Sequence, residues 1–172
     1  MADESPQVGI VLGSDSDLEI MRPALEVLQQ LEITFEATVA SAHRSPQRAA
    51  EYAQTAQQRG IKVIIAAAGW AAHLPGALAA HTILPVIGVP ISSSPIGGLD
   101  ALYSIVQMPP GVPVATVGVD TAKNAGLLAA QILALSDGKL TAKLHDLKEQ
   151  MRKSTEEKAA RIKEESASTN HE

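Results

Sequence analysis

Val8-Gly9-Ile10-Val11-Leu12 is a short, mostly β-branched apolar run, followed at once by Gly13-Ser14-Asp15-Ser16-Asp17 and then by a stretch from Leu18 to Leu31 carrying Ile20, Met21, Ala24, Leu25 and Leu28. A run that is apolar throughout, rather than alternating, suits a strand buried on both faces. The three- and four-residue spacing behind it suits a helix with one buried face. A second apolar run, Phe35 to Val39, follows that helix, so the N-terminal part of the chain reads as a β-α-β unit. The alternation continues through Pro46 to Arg59, N-capped by Ser45 with Pro46 at its first position, then Val63 to Ala67, Pro75 to Ala80, Val86 to Val89, Val114 to Val117 and Lys123 to Leu135. Five such strands alternating with helices predict an α/β fold with a central parallel sheet and right-handed crossovers.

Lys123 to Leu135 is dense in alanine and glycine, which allows close helix packing. Beyond Ser136-Asp137-Gly138 a C-terminal helix is expected over 139–165, where Leu140, Leu144, Leu147 and Met151 recur at spacings of four, three and four. So narrow a stripe must dock, either on the chain's own body or on a neighbouring subunit. The expected organisation is therefore an N-terminal tail over 1–7, an α/β domain over 8–138, this helix, and a fraying tail over 166–172.

Composition narrows the function. A chain of 172 residues, 45% of them hydrophobic, can bury a substantial core. With no cysteine there is no disulfide framework, thiolate nucleophile or Cys-ligated metal, and the usage is compatible with a reducing compartment. The opening Met1-Ala2-Asp3-Glu4-Ser5-Pro6 is acidic where a signal peptide needs a basic region, and no apolar run approaches a membrane span, so a soluble cytoplasmic protein is expected. A net charge of −5 and only four aromatic residues argue against nucleic acid as a partner.

Ligands of open α/β sheets collect beyond the carboxyl ends of the strands. Three loops stand there. In Gly13-Ser14-Asp15-Ser16-Asp17 the backbone N–H groups at a helix start, with two serine hydroxyls, suit a phosphate, although Ser and Asp are also ordinary helix caps. The carboxylates could accept hydrogen bonds from ribose hydroxyls. Neither GxGxxG nor GxxxxGK[ST] occurs, which removes the main support for dinucleotide or P-loop readings. Ser41-Ala42-His43-Arg44-Ser45-Pro46 pairs a proton-transfer side chain with a guanidinium fork for phosphate or carboxylate. Ala68-Gly69-Trp70-Ala71-Ala72-His73-Leu74-Pro75-Gly76 surrounds a second histidine with small residues, so that backbone can approach a ligand, or His73 caps the helix that follows. His81, His145 and His171 are expected to be solvent-facing or packing residues, and no metal-ligand spacing is seen, so no metal is expected.

Taken in order, these loops with Pro85-Val86-Ile87-Gly88-Val89-Pro90 and Leu102-Tyr103-Ser104-Ile105-Val106-Gln107-Met108-Pro109 resemble the class I N5-carboxyaminoimidazole ribonucleotide mutases of purine biosynthesis, from about Val8 to Leu135. The resemblance implies a flavodoxin-like three-layer sandwich assembled as a homo-octamer, with sites at subunit junctions and no cofactor. It implies conversion of the N5-carboxylated ribonucleotide to its C4 isomer, the carboxylate leaving as trapped carbon dioxide and returning at C4. His43 would move the proton at that carbon. His73 would line the carboxylate pocket with the backbone from Gly69 to Leu74. Ser14, Ser16, Asp17, Ser41 and Arg44 would hold the ribose phosphate end. Gly13, Ala42, Ala68, Gly69, Ala71 and Leu74 would complete the substrate-binding wall.

One position departs from the pattern. Where members of that family carry Gly-Gly-Ala-Ala-His, this chain has Gly69-Trp70-Ala71-Ala72-His73. The indole either crowds the pocket or packs away from it. Two other functions follow the same residues: direct carboxylation of aminoimidazole ribonucleotide, as in the class II relatives, and a noncatalytic ribonucleotide-binding module closed by Trp70. Arg44 and His73-Leu74-Pro75 favour the mutase over the former.

Overall fold

A computed structural model of the chain describes residues 5–169. Its elements run β1 (Val8–Leu12), α1 (Leu18–Gln30), β2 (Phe35–Val39), α2 (Pro46–Ala56), β3 (Val63–Gly69), α3 (Leu74–Ala79), β4 (Val86–Ile91), α4 (Leu99–Val106), β5 (Ala115–Thr116), α5 (Ala122–Ala134) and α6 (Gly138–Thr169). Single 3₁₀ turns precede α1 and follow α2. The five strands form one parallel sheet in the order β2-β1-β3-β4-β5. This is the flavodoxin-like order, whose direction reverses between β1 and β3, so the crevice for a ligand opens above the carboxyl ends of those two strands.

Continuous apolar runs mark the strands because the sheet is covered on both faces. Every residue of β1 and of β4, and Val63 to Ala68 of β3, is buried. β2 is an edge strand and only partly covered. β3 and β4 each extend two residues beyond the expected ends, to Gly69 and Ile91, and β5 shrinks to two residues.

Helix α4 is the element that periodicity misses. Ala101 and Ile105 face inward, but Leu99, Tyr103 and Val106 on its other side are also apolar and remain exposed. Asp100 and Ser104 give it a polar side, but at eight residues it is shorter than the window over which a helical period stands out. Gly98, at φ +82°, turns the chain into it.

The small residues of α5 do bring two helices close. A Cβ at Gly126 would lie 2.5 Å from Val27 Cγ1 and 3.1 Å from the Ala24 carbonyl oxygen, so only glycine lets α5 sit this near α1. Contacts divide the chain into two compact units, one ending at Leu133 and one from Ala134 onward. In the second, the Asp137 carboxylate accepts hydrogen bonds from the Lys139 and Leu140 backbone N–H groups, at 2.9 and 3.1 Å, and so caps α6. Along α6, Arg152 pairs with Glu149 and Glu156. The helix continues through Thr169, and the rest of the expected fraying tail lies outside the described residues, as does His171. Among the described residues no helix is long and apolar enough to cross a membrane.

Candidate active site

The loop after β1 is braced by its own carboxylates. Asp17 accepts a hydrogen bond from the Ser14 backbone N–H at 3.0 Å, Asp15 accepts one from the Ser16 N–H at 3.1 Å, and the Ser16 hydroxyl donates to the Ser14 hydroxyl at 3.0 Å. Two of the N–H groups expected to be open to a phosphate are thus occupied, and the hydroxyls are engaged as well, Ser14 donating to Asp15 at 3.2 Å, so a phosphate would be met by hydroxyls that rotate away from these partners. Asp17 is only 6% exposed. Burial pushes its carboxyl above the ordinary aspartate range, while the hydrogen bonds from Ser14 and Ser16 oppose that rise.

The loop after β2 is held in a tight turn. Ser45 stands at the N-cap of α2 with Pro46 next, as the sequence implies, but its hydroxyl does not cap the helix. Instead it accepts a hydrogen bond from the Ser41 N–H at 3.0 Å and donates to the Ser41 carbonyl at 3.2 Å. The Arg44 N–H reaches the Ser41 hydroxyl at 3.2 Å, and its guanidinium leans 3.4 Å from the Gly13 carbonyl, tying this loop to the one after β1. His43 is left exposed at the apex.

The loop after β3 delivers the second histidine. His73 takes the N-cap position of α3, yet its ring makes no capping hydrogen bond. Its Nδ1 lies 2.7 Å from His43 Nε2, the rings edge-on with centroids 4.8 Å apart and planes at 72°. One of the facing nitrogens donates and the other accepts, so the pair holds a single proton between them. Proton transfer needs a base within hydrogen-bond reach of the ligand's own proton, and both rings line the cleft where a ligand would sit. His81 and His145 are exposed and take no part.

Gly69 shows why the base of the cleft stays open. A Cβ there would lie 1.9 Å from the Ser93 hydroxyl oxygen and 3.2 Å from the Ile91 carbonyl oxygen. Ser93, from the loop after β4, can reach the cleft floor only because residue 69 has no side chain. It is the lining residue that sequence reasoning missed. Its signal was its place just past a strand, hidden because β4 runs two residues further than the apolar pattern suggests.

These loops enclose one cleft of about 450 Å³ above β1 and β3, lined by Gly13, Ser14, Ser16, Asp17, Ser41, Ala42, His43, Arg44, Ala68, Gly69, Trp70, Ala71, His73, Leu74 and Ser93. Every candidate residue nominated from the sequence is in that lining. Trp70 joins them at the rim with φ +54° and 57% of its surface exposed, so it neither fills the cleft nor packs away in the core. Among the described residues no group of His, Asp and Glu is arranged to hold a metal ion.

Comparison with known proteins places this arrangement. The sequence model for AIR carboxylase matches residues 7–154. An N5-carboxyaminoimidazole ribonucleotide mutase from Pyrococcus horikoshii is 54% identical over 164 residues, covering 95% of this chain and 93% of that protein. A mutase of the same name from Bacillus subtilis is 58% identical over 146 residues, 84% of this chain and 90% of that one. A phosphoribosylaminoimidazole carboxylase from Schizosaccharomyces pombe is 52% identical over 159 residues, which are 92% of this chain but 29% of that protein. The crystal structure of Treponema denticola PurE superposes with a TM-score of 0.80 at 27% identity, over 88% of this chain and 95% of that one.

Proposed function

The chain belongs to the AIR carboxylase family, and we propose that it is an N5-carboxyaminoimidazole ribonucleotide mutase of purine biosynthesis. The observation that carries the reading is the meeting of His43 and His73 at 2.7 Å in a cleft that also holds Arg44 and the serine loop. Proteins named as mutases match this chain over nearly their whole length, whereas the yeast carboxylase matches it over 29% of its own.

Ser14, Ser16 and Ser41 supply hydroxyl donors and Arg44 a guanidinium for the ribose phosphate end, and Asp17 lies beside them as an acceptor for sugar hydroxyls. The carboxyl-bearing ring then lies toward Gly69, Ala71 and His73. In the reaction the N5–carboxyl bond breaks, its electron pair returns to the nitrogen, and carbon dioxide is released into the cleft. His43 gives the proton that the nitrogen takes up; C4 of the imidazole then attacks the carbon dioxide, and the C4 proton passes back to His43. The proton lost at carbon balances the one gained at nitrogen, so the overall change is an isomerisation that consumes no cosubstrate. Small residues around His73 exclude water, and holding carbon dioxide against the ring makes the second step effectively intramolecular.

The enzyme works as a cytoplasmic homo-octamer whose subunits close the sites. Support comes from an apolar surface on and before α4, where Ile96, Leu99, Tyr103 and Val106 are each about half exposed or more. Such a surface marks a protein–protein contact. In this proposal the narrow apolar stripe of α6 docks either on the chain's own body or on a neighbouring subunit.

The test is conversion of freshly prepared N5-carboxyaminoimidazole ribonucleotide to its C4 isomer, followed by absorbance without ATP. Aminoimidazole ribonucleotide plus bicarbonate is run beside it at matched concentration. Faster turnover of the N5 compound is expected. Preference for the second pair makes the enzyme a direct carboxylase, and activity with neither leaves a ribonucleotide-binding module.

A further inference from the structure

Trp70 combines three properties that its own fold does not explain. Its backbone sits at φ +54°, a region that bulky side chains rarely adopt. Its indole is 57% exposed, so burial does not offset that strain. It also lines the same cleft as the histidine pair. Strained residues persist where a site uses them, and clamps on ligands are one such use.

The neighbours of Trp70 indicate which part of a ligand it meets. Gly69, Ala71 and His73 stand on its side of the cleft, at the end of β3, while the phosphate-binding hydroxyls and Arg44 come from the loops after β1 and β2. None of the chain's other large aromatic residues, Phe35, Tyr52 and Tyr103, lines the cleft. Given the ribonucleotide reaction proposed above, on which this step rests, we infer that Trp70 is a specificity-determining residue that stacks on the flat heterocycle and closes that end of the cleft. A glycine here would leave the ring open to water on that side. The indole selects ribonucleotides bearing a planar ring over plain sugar phosphates.

Because Trp70 is the chain's only tryptophan, its emission reports on this position alone. The full-length protein is titrated with aminoimidazole ribonucleotide and, separately, with ribose 5-phosphate, occupancy being followed by calorimetry and turnover measured on the same sample. Saturable quenching by the ribonucleotide but not by the sugar phosphate at equal occupancy is expected. Trp70→Gly should raise KM for the N5 compound about tenfold, the scale of one base–aromatic stack, with a smaller change in kcat. Trp70→Phe should largely keep the wild-type KM. Trp70→Gly should also raise the melting temperature, since glycine removes the backbone strain.

An active enzyme whose emission is unmoved at saturation, or whose KM is unchanged in Trp70→Gly, overturns the inference while leaving the reaction standing. A lowered melting temperature with a smaller assembly in light scattering also overturns it, because the indole would then be packing between copies. Selective quenching in a protein without turnover refutes the reaction and keeps the stacking role.

Discussion

Replacing His43 with asparagine separates chemistry from folding more sharply than any other change in the cleft. Both rings of the His43–His73 pair are exposed, and their contact is one hydrogen bond at 2.7 Å. A neutral hydrogen bond contributes a net ~0.5–1.5 kcal/mol, and in an exposed pair the lower end applies, so His43→Asn should shift unfolding free energy by less than about 1 kcal/mol. Its amide can still donate toward His73. It cannot carry a proton through the reaction, and general acid–base catalysis contributes roughly 10²–10⁴ in rate, or about 3–5 kcal/mol of barrier. The chemical loss therefore exceeds the structural one several-fold. In the absorbance assay kcat should fall at least a hundredfold, while calorimetric affinity for aminoimidazole ribonucleotide stays within a few-fold of wild type. Since the two rings share one proton, His73→Asn added to His43→Asn should cost little more than His43→Asn alone, the non-additivity of groups that act as a unit. A His43→Asn enzyme that folds normally and keeps more than a tenth of its kcat, or a double variant whose losses multiply, would refute the shared-proton argument.

Three further predictions follow from the same geometry. Arg44→Ala should weaken ribonucleotide binding by about 1.5–3 kcal/mol, the range for a charged hydrogen bond, and an unchanged calorimetric affinity would remove Arg44 from the site. Burial raises the Asp17 carboxyl above its unfolded value, so the folded state holds that proton more tightly and loses stability as pH rises from the unfolded value through the folded one. Asp17→Asn removes that loss, so wild type should become less stable relative to the variant as pH rises above the ordinary aspartate range in denaturant melts, and a change of the opposite sign contradicts the burial argument. The Tyr52 hydroxyl is buried close to Glu36 and Arg59, and a Cβ at Gly9 would lie 2.3 Å from it. Tyr52→Phe should thus soften the penalty of Gly9→Ala in a double-mutant cycle followed by denaturant melts, and strictly additive losses would show that the hydroxyl is not what excludes a side chain at residue 9.

The strands β1, β3 and β4 were legible as residues because a strand covered on both faces has no polar positions to break its apolar run, and the loops behind them were legible because they follow such runs. Burial on one side writes a period into a helix, which is why the 13 residues of α1 could be read, whereas the eight of α4 are too few for the period to stand out. His43 and His73 could each be nominated from a loop, but nothing local says that they touch. They stand 30 residues apart on the loops after β2 and β3. Strand order makes them neighbours: β2 and β3 flank β1, so their carboxyl-end loops converge above it. The same long-range fact hides Ser93, which meets Gly69 only because β4 lies beside β3. It also settles Trp70, whose identity marked an exception but whose place at the cleft rim belongs to the fold. Residue patterns record what each segment must bury, and that is enough to name elements and candidate groups. Distances between those groups are set by which strands pair and in what order, and that is decided only when the whole sheet assembles.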